Sequence, residues 1–151
     1  MIKIIVVGSL KEKYLKEAQE EYTKRLSKYT KIEVIELKDE GLSDKNKTLS
    51  IEEERILKKI NPRDYIITLE IEGKELTSLE FAKRIEKIQI ENSNITFIIG
   101  GSYGLSENIK KLSNYKLSFS KMTFPHQLFR IVLLEQIYRA YKINNNEKYH
   151  K

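Results

Sequence analysis

Three of the chain's six glycines fall within five residues, Gly100-Gly101-Ser102-Tyr103-Gly104. Glycine permits positive φ and lets a backbone approach a ligand closely. The cluster follows directly on the apolar run from Ile95 to Ile99, where a nucleotide-like ligand of an α/β sheet would sit. It is not a Walker loop, because no Gly-Lys-Ser/Thr follows, and it does not fit the Gly-x-Gly-x-x-Gly spacing of dinucleotide sites. A tight strand-to-helix turn without a ligand would need the same glycines, so the cluster alone leaves both readings open. A side chain at Gly101 is expected to collide with a bound ligand or to strain the turn.

A second candidate is Phe119-Ser120-Lys121-Met122-Thr123-Phe124-Pro125-His126. Its backbone groups suit the edge of an adenine, and Phe119, Met122 and Phe124 suit the walls around it. The same apolar residues could instead finish a core. His126, just after Pro125, stands at a helix start. A third candidate is the last helix with its tail. Arg130, Glu135 and Arg139 are polar positions on an apolar helix, and Glu135 and Arg139 are spaced to pair on one face. The closing Tyr149-His150-Lys151 combines a stacking ring with cations, which suits unstacked bases and phosphate. Frayed termini are common, however.

Composition removes several chemistries. There is no cysteine, hence no disulfide, thiolate metal site or cysteine nucleophile. Two histidines, His126 and His150, cannot make a multi-histidine metal site in one chain. The net charge of +6 favours a polyanionic partner without identifying it. No apolar run of about 18 residues is present, and the stretch from Ile4 to Val7 is too short for a signal-peptide core. The expected setting is the cytoplasm, away from membranes.

The elements that must position these residues alternate between strand and helix. Met1 to Val7 is a β-branched run, broken by Gly8 and Ser9. Lys13 to Tyr29 carries Leu15, Ala18, Tyr22, Leu26 and Tyr29 on one stripe, a helix. Lys31 to Leu37 alternates as a strand, and Lys38 to Thr48 reads as a polar loop around Gly41. Ser50 and Glu53 have capping-box spacing, predicting a helix to about Ile60, stopped by Asn61-Pro62. Tyr65 to Leu69 is a strand, followed by a turn from Glu70 to Lys74 around Gly73. Thr77 and Glu80 open a helix to about Ile90. Ile95 to Ile99, Ser106 to Leu112, Lys116 to Ser118 and His126 to Ile143 complete the order as strand, helix, strand and long helix. Asn144 to Lys151 is a polar tail. This order predicts one α/β domain over residues 1–151, with a mostly parallel sheet and helices on both faces. Leu128, Ile131, Val132, Leu134, Ile137 and Tyr138 give the last helix more apolar surface than one core face requires, suggesting a homodimer interface.

Together the motifs carry a resemblance. Phe97-Ile98-Ile99-Gly100-Gly101-Ser102-Tyr103-Gly104-Leu105-Ser106 resembles a cofactor loop of the ribosomal RNA large subunit methyltransferase H family. So does Ser118-Phe119-Ser120-Lys121-Met122-Thr123-Phe124-Pro125-His126-Gln127-Leu128. Glu135-Gln136-Ile137-Tyr138-Arg139-Ala140 and Tyr149-His150-Lys151 resemble its C-terminal signature. The similarity spans the chain and keeps the motif order. It implies a SPOUT-type fold with a C-terminal trefoil knot, a homodimer, and S-adenosylmethionine without a metal. General rules of connectivity argue against knots, so only the resemblance carries that expectation. Leu69, Gly100 and the residues Phe119, Ser120, Lys121, Met122, Thr123 and Phe124 match the family's cofactor contacts, with Gly101 and Gly104 in the same loop. His126, Arg139, Tyr149 and His150 are the expected substrate-positioning or catalytic side chains. The implied reaction is methylation of N3 of a pseudouridine, position 1915 in reference numbering, in helix 69 of 23S ribosomal RNA. The implied substrate is the assembled 70S ribosome or its large subunit. Many members carry a proline before the terminal Tyr-His, where this chain has Lys148, so the tail's placement is open.

The residue inventory agrees with that chemistry. Carbon-5 methylation of pyrimidines usually employs a cysteine nucleophile, which favours a nitrogen or oxygen target here. His126, His150, Glu135 and water are candidates to take the N3 proton. Two rivals remain: a nucleotide-binding regulatory module without transfer activity, and a purely structural ribosome-associated protein.

Overall fold

The computed structural model describes residues 1–151. Its elements are β1 (Ile2–Val7), α1 (Lys13–Leu26), β2 (Ile32–Leu37), α2 (Lys45–Leu57), β3 (Tyr65–Glu75), α3 (Ser78–Glu91), β4 (Ile95–Ile99), α4 (Glu107–Leu112), β5 (Tyr115–Ser118) and α5 (His126–Asn144). The five strands form one sheet in the order β2-β1-β4-β3-β5, and every pairing is parallel. Strand alternation sorts the core into two layers. Ile2, Ile4, Val6, Ile67, Phe97 and Ile99 face α1, α3 and α5. Ile5, Val7, Ile66 and Ile98 face α2 and α4. β1 and β4 are buried along their whole length, which is why they read as continuous apolar runs.

Several boundaries differ from the sequence expectation. α1 stops at Leu26 rather than Tyr29, where Tyr29 and Thr30 turn their amides back to the Leu26 carbonyl. α2 starts at Lys45, capped by Asp44, whose carboxylate accepts from the Lys47 amide at 3.1 Å. The Ser50/Glu53 capping box is therefore not made, because Glu53 is taken by Ser106 Oγ at 2.6 Å. The Thr77/Glu80 box is made in both directions.

The segment from Glu70 to Lys74 is not a simple turn. β3 stays extended through it, and its pairing with β5 is irregular. Leu69 and Lys74 both pair with Leu117, so four residues are extra on the β3 side. Gly73 is required where this bulge closes, since a Cβ there would lie 2.8 Å from the Lys116 and Leu117 backbone.

α5 packs between α1 and α3. Ile131, Leu134, Ile137 and Tyr138 are buried within the chain's own core, so most of the apolar excess expected of this helix is consumed internally. Arg130 is the largest fully buried side chain. Its guanidinium pairs with Glu36, donates to Gly8 O at 3.1 Å and reaches Gln19 Oε1 at 3.3 Å. With Lys11 N donating to Gln127 Oε1 at 2.9 Å, this fixes the start of α5 to the carboxyl ends of β1 and β2. No helix is long and apolar enough to cross a membrane.

Candidate functional site

A cavity of about 340 Å³ opens at the carboxyl ends of β3, β4 and β5, where ligands of parallel sheets bind. Its walls come from three chain segments. The β3 bulge supplies Leu69, Glu70, Ile71 and Glu72. The glycine loop supplies Ile99, Gly100, Gly101, Ser102, Gly104 and Leu105. The last loop supplies Leu117, Ser118, Phe119, Ser120, Met122, Thr123, Phe124 and His126, with Lys110 and Phe129 beside them.

Each glycine of the loop is needed for a different reason. Gly104 sits at φ +77°, in the left-handed region. At Gly100 a Cβ would run into the Gly104 backbone, 2.5 Å from its carbonyl carbon, because the turn is closed by Gly104 N donating to Gly101 O at 3.0 Å. At Gly101 a Cβ would lie 3.1 Å from Val7 Cγ1 and 3.3 Å from Glu52 Oε1. The Gly101 substituent thus points into the layer under α2, so the expected collision with a ligand is replaced by a collision with the protein itself. Glu52 is buried there, with one oxygen accepting from Glu40 N at 3.0 Å and the other without a partner.

The last loop is held by Ser118 Oγ donating to Ser120 O at 3.1 Å and Met122 N donating to Ser120 Oγ at 3.0 Å. Between Phe119 and Phe124 the Met122 amide is the one that finds a partner within the chain. The other amides are left to solvent or a ligand. Phe119 meets Phe129 edge to face at 5.2 Å, and Phe124 stacks on Phe129 at 5.6 Å. The loop therefore offers ring surfaces and unpaired backbone donors together. Met122 is 77 % exposed at its rim.

Of the expected cofactor residues, Leu69, Gly100, Gly101, Gly104, Phe119, Ser120, Met122, Thr123 and Phe124 all line the cavity. Lys121 does not; its side chain is exposed outside it. His126, the first residue of α5, lines the cavity, whereas Arg139, Tyr149 and His150 do not. Arg139 lies 13 residues further along the helix, about 20 Å at 1.5 Å per residue. There it forms a separate cluster. Glu135 Oε1 accepts from Arg139 at 2.9 Å and from the Tyr149 hydroxyl at 2.7 Å, and Arg139 Nη1 lies 3.2 Å from His150 Nδ1. The Arg139 guanidinium sits over the Tyr149 ring at 4.6 Å, and that ring meets Tyr138 edge to face at 5.0 Å. Partial burial, then the bond to Glu135, pushes the Tyr149 phenol up to about 12. The tail thus folds back onto α5 rather than fraying.

Sequence reasoning did not single out Glu70, Glu72 and Lys110. The first two could not be found locally, because the bulge that presents them depends on pairing with β5. The rim's charged groups are Glu70, Glu72 and Lys110, and Lys110 is drawn toward Glu107 at 3.6 Å. Within a basic protein this rim is acidic, which does not suit a phosphate. No group of three or more His, Cys, Asp or Glu side chains is placed to hold a metal ion.

Comparison with known proteins gives the family. The family described as "Predicted SPOUT methyltransferase" matches residues 1–150. The protein of Clostridium tetani named ribosomal RNA large subunit methyltransferase H is 55% identical over 157 aligned positions, covering 99% of each chain. Ribosomal RNA large subunit methyltransferase H 1 of Clostridium perfringens is 54% identical with the same coverage. A solved structure of a methylase family protein from Haemophilus influenzae superposes with a TM-score of 0.59 at 14% identity, over 99% of this chain and 70% of that one, a likeness of fold alone. On full-length sequence identity, motif order and parallel-sheet architecture, the chain belongs to the SPOUT methyltransferases, in the ribosomal RNA large subunit methyltransferase H family.

Proposed function

We propose that this protein transfers a methyl group from S-adenosylmethionine to large-subunit ribosomal RNA, at N3 of a pseudouridine in helix 69, the position numbered 1915 in the reference. The observation that carries the reading is the loop from Phe119 to Phe124, with aromatic walls and unpaired amides, facing a glycine turn across one cavity. A purine fits such walls, its ring nitrogens would take the free amides, and the volume is in the range of small-molecule sites. The likeness to relatives named for ribosomal RNA methylation supplies the substrate class.

Bound S-adenosylmethionine would supply an electrophilic methyl group. The chain's own part is to hold donor and base in line and to manage one proton. Leu69, Gly100 and the last loop would seat the donor, and His126 at the cavity edge is placed to accept or relay the N3 proton. Arg139, Tyr149 and His150 carry the stacking and cationic chemistry that RNA requires, about 20 Å from His126 along α5. A two-fold homodimer, in which the partner's tail reaches this cavity, would complete the site. Met122 on the cavity rim, 77 % exposed, and Leu128 in the first turn of α5, 42 % exposed, are apolar side chains suited to that contact. The C-terminal knot implied by the family resemblance belongs to the same reading, with the cavity loops as its turns.

The test is transfer of labelled methyl to 70S ribosomes and free large subunits lacking the modification, followed by mapping of the labelled nucleotide. Label at N3 of the helix 69 pseudouridine is the expected result. Saturable donor binding without transfer to any ribosomal fraction would favour a regulatory module instead. Light scattering at micromolar concentration is expected to give twice 17.9 kDa.

A further inference from the structure

Glu70 is a residue of this site that neither family motifs nor sequence periodicity singled out. It reaches the cavity because of the bulge. β3 and β5 pair up to Leu69–Leu117 and resume at Lys74–Leu117, so Glu70, Ile71 and Glu72 are left unpaired and line the opening. Bulges beside active sites commonly re-aim side chains in this way. The carboxylate is also held in place. Glu70 Oε2 accepts from the hydroxyl of Thr68 at 2.6 Å, and Thr68 is fully buried with Ser113 Oγ 2.8 Å behind it. Glu70 Oε1 has no partner in the chain. Glu72, more exposed, lies on the same rim, and the single lysine there is engaged by Glu107.

A fixed carboxylate with one free oxygen, in a cavity whose one lysine is drawn to Glu107, is a countercharge for a cationic ligand. We propose that Glu70, backed by Thr68, makes this site selective for the sulfonium form of the cofactor, S-adenosylmethionine, over its neutral thioether product, S-adenosylhomocysteine. The inference rests on the methyltransferase reading. The two molecules differ by the transferred methyl and the positive charge on sulfur, and a full negative charge responds to that difference more strongly than ring faces or backbone amides do. Loss of that charge on transfer weakens the product's hold and favours its exchange for fresh donor.

The experiment is calorimetric titration of the full-length protein with each ligand. Wild type, Glu70→Gln, Glu70→Asp and Glu72→Gln are compared, each ligand pair being measured on one preparation. Glu70→Gln keeps an oxygen to accept from Thr68 and removes only the charge. It is expected to weaken S-adenosylmethionine by ~tenfold and S-adenosylhomocysteine by less than ~threefold. Glu70→Asp is expected to retain the preference, and Glu72→Gln to change it little. The ratio of the two affinities does not depend on the fraction of protein folded. Equal loss for both ligands in Glu70→Gln, or no loss for either, would overturn the inference while leaving the function standing. Failure of the wild type to bind either ligand would overturn the function itself, and the inference with it.

Discussion

Deleting Tyr149 to Lys151 separates two roles of the tail. In the folded chain the Tyr149 hydroxyl donates to Glu135 Oε1 at 2.7 Å, its ring meets Tyr138 at 5.0 Å, and Arg139 lies over it at 4.6 Å. A hydrogen bond to a charged acceptor contributes about 1.5–3 kcal/mol. An edge-to-face pair adds about 0.5–1.5 kcal/mol, and an exposed cation–π contact about 0.5–1 kcal/mol. These terms overlap on a half-buried ring at a chain end, and Glu135 keeps Arg139 after the deletion. The expected loss is therefore about 2 kcal/mol rather than the sum. At about 2–4 °C per kcal/mol for a chain of this size, the Tm should drop by about 4–8 °C. Tyr149→Phe, which removes the hydroxyl alone, should cost about 1 kcal/mol. Donor affinity should change less than ~tenfold, about 1.4 kcal/mol, because no tail residue lines the cavity of its own chain. Methyl transfer to ribosomes should fall ~hundredfold or more, about 2.7 kcal/mol. Calorimetric melting, donor titration and transfer, all on one truncated preparation, decide the matter. An unchanged Tm would mean that the tail is frayed in solution, and near-normal transfer would remove it from the RNA-facing surface.

Four other perturbations test the surrounding reasoning. Lys3→Met strips the ammonium from Asp64 Oδ2, 3.1 Å away and fully buried, and should cost about 3 kcal/mol in urea unfolding; a cost under about 1 kcal/mol would contradict a buried pair. Burial pushes the Asp64 carboxyl up, but the Asn61 amide, Lys3 and Thr96 outweigh it and hold it below its ordinary 3.8. Its share of stability is thus present above pH 3.8 and lost as pH falls through the lower folded value, a loss that Asp64→Asn should remove from the acid limb. Tyr149, raised to about 12 by burial and then Glu135, should ionise well above the ordinary phenol value of 10; its stabilising share is complete below pH 10 and lost toward pH 12. Absorbance titration of wild type against Tyr149→Phe reads that step directly, and a lost step near pH 10 would refute it. Gly101→Val should lower stability by about 1–3 kcal/mol through its clash with Val7 and Glu52, and an unshifted Tm would show that the loop has room there.

What could be read in the sequence was what local chemistry decides. Ile95 to Ile99 is a strand with the bounds expected of it, because five buried residues in a row fit the centre of a parallel sheet. Thr77 and Glu80 cap each other within one helical turn, so spacing alone reveals them. Ser50 and Glu53 have the same spacing and fail, since Glu53 has a better partner 53 residues away in Ser106. The bulge from Glu70 to Gly73 and the acidic rim it creates depend on β5, which comes some 40 residues later. Arg130 was visible as a polar residue on an apolar helix. That it is buried and grips Gly8 and Glu36 follows only from the packing of α5 over the sheet. The glycine loop and the Phe119 to Phe124 loop were legible as candidates. Their meeting in one cavity was implied by the resemblance and is a consequence of strand order.

Met122 gives the site a built-in reporter. The chain has two methionines, Met1 at the terminus and Met122 on the cavity rim, 77 % exposed. Protein grown with carbon-13 in the methionine methyl group would therefore show two methyl resonances, one remote from the cavity and one on its wall. A thioether methyl turns quickly and gives a narrow line. The Met122 signal would follow donor, product and RNA occupancy in the native chain while Met1 served as its internal reference.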